Sequence, residues 1–235
     1  MSFSRIVILA VGSLLCGLQA GCSTPTPNWH FGISVSTDPG LEHLAPQVGR
    51  ACLHYSHYVA QELRVERIAS INVRVVNDAG AGLHGYSDDT RIVVQGDENA
   101  PLILAHELVH WHMRGSLLQQ RLPAAVQEGI CEFIAARGLG LEASLAQIYA
   151  PLLPQTVEDA QSILRYSNSQ IHDRSLSDTV RVYAYGWFLA RTLGLEQLWN
   201  VAESSNGPEE AATVLLERAA PPFDVNEIIK ALLHL

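Results

Sequence analysis

The chain reads as α+β: a small mixed sheet and one long helix in front, a short strand running into a second helix, and a mostly helical second half. Three observations carry this. Ile71, Val73 and Val75 alternate with polar residues, the period of two expected of a strand with one buried face. Arg91 to Gln95 is a short β-branched run that passes through Gly96-Asp97 directly into an apolar helical stretch, Ala100 to Met113. Beyond Pro123 the apolar residues recur every three or four positions almost to the carboxyl end. The composition, 48% hydrophobic and 17% charged over 235 residues, is that of a globular chain.

The amino end reads as an address. Arg5 follows a short polar start, Ile6 to Leu18 is an apolar run too short for an ordinary membrane span, and the small residues Ala20 and Gly21 precede Cys22. This resembles a bacterial lipoprotein signal, with Gln19 standing where leucine is usual. The resemblance implies that residues 1–22 are an export signal, that Cys22 is lipidated, and that the body sits in the periplasm or cell envelope, held to the membrane only by its amino-terminal lipid. Cleavage by the ordinary signal peptidase and an uncleaved anchor are the alternatives. Ser23 to Asn28, with Pro25 and Pro27, reads as a tether. Residues 29–235 then form a single domain, with the sheet and first helices in 29–115 and a helical subdomain in 116–235.

Phe31 to Ser36 is the first expected strand, ended by Asp38-Pro39-Gly40. A helix follows from about Leu41 or Pro46 to Ile68, with Val48, Cys52, Tyr55, Val59, Leu63 and Ile68 as its apolar stripe. His43, His54 and His57 belong to its partly exposed surface, since no carboxylate is patterned with them. Asn77 to Gly85 supplies turn chemistry between the two strands, and Asp97 or Asn99 caps the next helix, with Pro101 in its first turn. A loop to Pro123 leads to a helix over Ala124 to Arg137, stopped by Gly138-Leu139-Gly140. Further helices are expected over Glu142 to Tyr149, Val157 to Tyr166, Ser177 to Leu193, Leu195 to Ala202, Pro208 to Arg218 and Val225 to Leu235.

With 24 acidic against 15 basic residues and no Lys/Arg cluster, the chain is a poor partner for nucleic acid. Removal of the signal deletes Cys16, and lipid takes Cys22, which leaves Cys52 and Cys131. In an oxidising compartment these form a disulfide or stay as two buried thiols.

The chemistry-bearing motif is His106-Glu107-Leu108-Val109-His110. On a helix, residues four apart lie roughly 40° from one another, so both imidazoles can face one ion. Glu107, beside them, can reach a metal-bound water without being a ligand itself. His112, roughly 200° from His110, faces away and is read as a bystander snorkelling at the helix end. A catalytic zinc takes a third protein ligand, and Glu128-Gly129-Ile130-Cys131-Glu132 on the next helix offers two acids one turn apart.

The pentad, a proline-marked loop and a Glu-Gly pair at this separation resemble the gluzincin metallopeptidases, with the short peptidase-MA-like proteins the nearest in pattern. The resemblance covers roughly Arg91 to Gly194. It implies a zincin-like fold in which the strand before the pentad helix is an edge strand along the substrate cleft, one Zn2+ per chain held by His106, His110 and Glu128, and Glu107 as general base. It assigns Glu132 to the acid that accepts the outer N–H of a ligand histidine. Tyr183-Ala184-Tyr185-Gly186 is similar to the Tyr-x-x-Gly of aminopeptidase-N-type enzymes, which places an oxyanion donor on Tyr183 and leaves Tyr185 to the core. His172 and Arg174 are the other candidate donors. No Gly-x-Met-Glu-Asn segment is found. Gly85-Tyr86-Ser87-Asp88-Asp89 stands upstream of the pentad instead, so an endopeptidase acting on peptides or proteins is expected over an aminopeptidase. The rival expectation is an inactive zincin-fold lipoprotein that binds peptides or assists assembly in the envelope.

Overall fold

A computed structural model describes residues 32–65, 70–80, 84–97, 99–172, 176–224 and 230. The signal with Cys22, the tether, Ile68, Gly82, Arg174 and, apart from Lys230, the helix expected over 225–235 lie outside the described residues. The chain is α+β, a four-stranded mixed sheet followed by a mostly helical remainder. It divides into two compact units between His112 and Met113. Among the described residues no helix is long and apolar enough to cross a membrane.

The first unit contains β1 (Ile33–Thr37), α1 (Ala45–Leu63), β2 (Ile71–Val76), β3 (Gly85–Ser87), β4 (Ile92–Gln95) and all but the last residue of α2 (Ala100–Met113). The strand order is β1-β2-β4-β3, with the first three parallel and β3 antiparallel to β4. In register, Val35 lies beside Val73, Val75 beside Val94, and Tyr86 beside Val93. α1 is the crossover that joining two parallel strands requires. It buries Val48, Cys52, Ser56, Val59 and Leu63, three to four residues apart, and ends at Arg64 in the left-handed region (φ 54°).

β2 keeps its alternation, with Ile71, Val73 and Val75 buried and Asn72 and Arg74 exposed. β4 does not, because Ile92, Val93 and Val94 are all buried, as in a strand covered on both faces. The strand that runs into α2 is therefore interior, and the edge position expected for it belongs to β3. The sequence reading missed β3 inside a segment taken as turn. The β3–β4 turn is built by Asp88, whose Oδ1 accepts the Thr90 and Arg91 backbone N–H groups at 2.8 and 3.0 Å and the Thr90 hydroxyl at 2.6 Å. The Thr90 bonds, hydroxyl first, hold the Asp88 carboxyl below its ordinary range.

The second unit contains α3 (Leu117–Arg121), α4 (Ala124–Leu139), α5 (Glu142–Tyr149), α6 (Val157–Leu164), α7 (Asn168–His172), α8 (Leu176–Ser204) and α9 (Pro208–Arg218). α4 is buried without a break from Ala125 to Cys131, which marks it as a central helix. It crosses α8, itself buried from Ala184 to Ala190. The expected helices over 177–193 and 195–202 are the two runs of α8, separated as expected at Gly194, whose φ of 74° and ψ of 160° are not helical. α3 and α7 replace expected loops. α3 starts at Ser116, whose side chain accepts the Gln119 N–H. The buried Gln127 amide then donates to the Gln119 and Leu122 carbonyls at 2.9 and 2.8 Å, tying α3 to α4.

Candidate functional site

The first unit places the pentad on α2. The Asp97 carboxylate accepts the Asn99 N–H at 2.8 Å, and the Asn99 carbonyl accepts the Leu102 and Ile103 N–H groups, so both expected capping residues open this helix. Leu104, Ala105, Leu108 and Val109 are buried and anchor it, which leaves little freedom in how the polar residues between them are aimed.

The ring centroids of His106 and His110 lie 5.0 Å apart at 64°, and one ring nitrogen of each lies within 4.8 Å of the other. Two nitrogens on one tetrahedral zinc are about 3.3 Å apart, so small side-chain rotations close the pair on an ion. His106 is 9% and Glu107 8% exposed. A Cβ placed on Gly85 comes 2.3 Å from the Ile103 Cγ2, 2.8 Å from the Val93 carbonyl oxygen and 3.7 Å from the Glu107 Cγ. The edge strand therefore runs against the turn of α2 that carries Glu107, and glycine lets it do so. Sequence reading assigned Gly85 no such role. Its signal was a glycine next to an alternating apolar strand, just before an Asp-x-Thr turn.

His112 is buried, 5% exposed, and not at the surface as its place near the helix end suggested. Burial lowers its pKa to about 4, so it is a neutral interior group. His43 and His54 are exposed and His57 half-buried, as expected for an outer helix face.

The second unit holds the acids. Glu128 is 5% exposed and Glu132 half-buried, one turn apart on α4. The glycines of the two quoted motifs, Gly129 and Gly186, prove to be contact partners. A Cβ on Gly129 falls 1.8 Å from the Gly186 carbonyl carbon, and a Cβ on Gly186 falls 1.8 Å from the Ala125 carbonyl oxygen. Backbone meets backbone where α4 crosses α8, and this contact positions Glu128 and Glu132 relative to Tyr183, which is half-buried on α8. Tyr185 is fully buried, with its hydroxyl donating to the Ala219 carbonyl at 3.4 Å, and burial pushes its pKa up. It belongs to the core, as expected. His172 ends α7, and its side chain lies outside the described residues.

Cys52 and Cys131 are fully buried and not joined by a disulfide, the second of the two alternatives. Cys52 faces the interior of the first unit. Burial there raises its pKa to about 12, and such a thiol is inert toward exchange.

Each unit thus assembles part of the predicted set: the imidazole pair with Glu107 in one, Glu128, Glu132 and Tyr183 in the other. No family model, curated protein or solved structure matches the chain.

Proposed function

We propose that the protein is a zinc-dependent peptide-bond hydrolase of the gluzincin type with a zincin-like fold, an endopeptidase of the bacterial cell envelope anchored by lipid on Cys22. The observation that carries this reading is the pair of buried His106 and half-buried His110, one turn apart, with the buried carboxylate of Glu107 beside them and the edge strand β3 against that turn. A structural zinc site has no use for an adjacent uncoordinated acid, whereas a hydrolytic one needs it as general base.

Two imidazoles at compatible separation suit zinc, and the carboxylate of Glu128 would be the third ligand. Zinc, when bound, supplies Lewis acidity that makes a water nucleophilic near neutral pH. Glu107 would act as general base toward the attacking water and return the proton to the leaving amine. The Tyr183 hydroxyl donates to the oxyanion that forms on the scissile carbonyl. Glu132 accepts the outer N–H of a ligand histidine and keeps its ring in the binding tautomer.

The deciding experiment is cleavage of a denatured protein or a peptide library, with and without chelator, by wild type and by Glu107→Gln. Wild-type cleavage is expected to stop with chelator. Glu107→Gln is expected to keep its zinc and to lose turnover by roughly 10²–10⁴-fold. Equal hydrolysis by the variant would sink the mechanism. Zinc binding without any cleavage by wild type favours the peptide-holding alternative.

A further inference from the structure

The hydroxyl of Tyr149, the last residue of α5, donates to the Glu132 Oε2 at 3.2 Å. Tyr149 is 3% exposed, and its ring packs edge-on against Trp187 of α8, with centroids 5.8 Å apart. A carboxylate can only accept, so the phenol is the donor. Burial first, and then the neighbouring Glu132 charge, raise the phenol's pKa well above its ordinary value, so it stays a donor throughout the accessible pH range. The contact joins α4, α5 and α8, the helices that would carry the acidic half of the site. A buried hydroxyl without this acceptor would be costly, and the bond gives one Glu132 oxygen a fixed partner.

We propose that Tyr149 is a positioning residue. By holding one oxygen of Glu132, it fixes the orientation of the carboxylate whose other oxygen receives a ligand imidazole N–H. Tyr149 acts on metal affinity only through Glu132. The proposal rests on the zinc reading given above and adds to it a residue outside every quoted motif.

The test is a double-mutant cycle read by zinc affinity, measured in competition with a chromophoric chelator, alongside the melting temperature of each metal-free protein. Partners of metal ligands typically contribute 10- to 100-fold in affinity. Tyr149→Phe and Glu132→Gln are each expected to weaken zinc binding by roughly 10-fold, and the double variant by no more than the weaker-binding single. A merely structural tyrosine would lower the metal-free melting temperature and leave zinc affinity unchanged, which overturns the proposal, as do losses that multiply in the double variant. If Tyr149→Phe does not fold, Glu132→Gln decides alone. It keeps an acceptor for the phenol while removing the charge, and wild-type zinc affinity in it leaves Tyr149 nothing to position. Wild-type protein that binds no zinc removes both this proposal and the reading beneath it, whereas tight wild-type binding unaltered in Tyr149→Phe removes this proposal alone.

Discussion

The two units use glycine in different ways to bring the backbone close to a candidate acid. In the first, Gly85 on β3 meets a methyl group of Ile103 and the Val93 carbonyl, near Glu107. In the second, Gly129 beside Glu128 meets the backbone of Gly186, three residues after Tyr183. A side-chain methyl can rotate away from an intruding atom, but the backbone of a buried helix cannot. The first contact is therefore partly adaptable, while the second sets the distance between two helices outright.

That contrast has testable consequences. The largest falls on the residue that the helix crossing presents: Tyr183→Phe is expected to lower kcat by roughly 10²–10³-fold with zinc content unchanged, the usual consequence of losing one oxyanion donor. A wild-type kcat in this variant would remove Tyr183 from the chemistry and leave the crossing as architecture alone. Next comes Gly129→Ala, whose Cβ would have to force α4 from α8. It is expected to cost about 3 kcal/mol or more, a fall of roughly 6–12 °C in melting temperature. Gly186→Ala belongs with it, and thermal unfolding of either variant at wild-type temperature would show that the crossing is looser than the geometry requires. The smallest effect is expected for Gly85→Ala, about 1–3 kcal/mol, partly relieved by rotation of Ile103. Its signature is a loss of kcat/KM exceeding the loss of stability, because β3 is displaced from the turn that carries Glu107. Steady-state kinetics on the folded variant measures this, and destabilisation as large as that of Gly129→Ala would erase the distinction between the two contacts.

Much of the architecture was legible because it is local. The period of two in β2, the 3.6-residue period of α1 and α4, the caps at Asp97 and Asn99 and the break at Gly194 all depend on residues within a few positions of one another. β3, α3 and α7 were missed because three to five residues show no period. Their determinants are side-chain bonds to backbone, from Asp88 and Ser116 in the first two cases. His112 was misjudged because a helix wheel gives direction but not what lies in that direction. The same limit applies to Tyr149, 17 residues from Glu132, for which no motif or spacing gave a signal.

By itself, then, the amino-acid order determined that His106 and His110 share a face with Glu107 alongside, since a helix converts a separation of four into a nearly common direction whatever surrounds it. Only the tertiary structure decided that β3 lies against Glu107, that Gly129 and Gly186 touch, and that a buried phenol holds Glu132. Those relations join residues far apart in the chain, and close packing of particular shapes, which no local period encodes, is what brings them together.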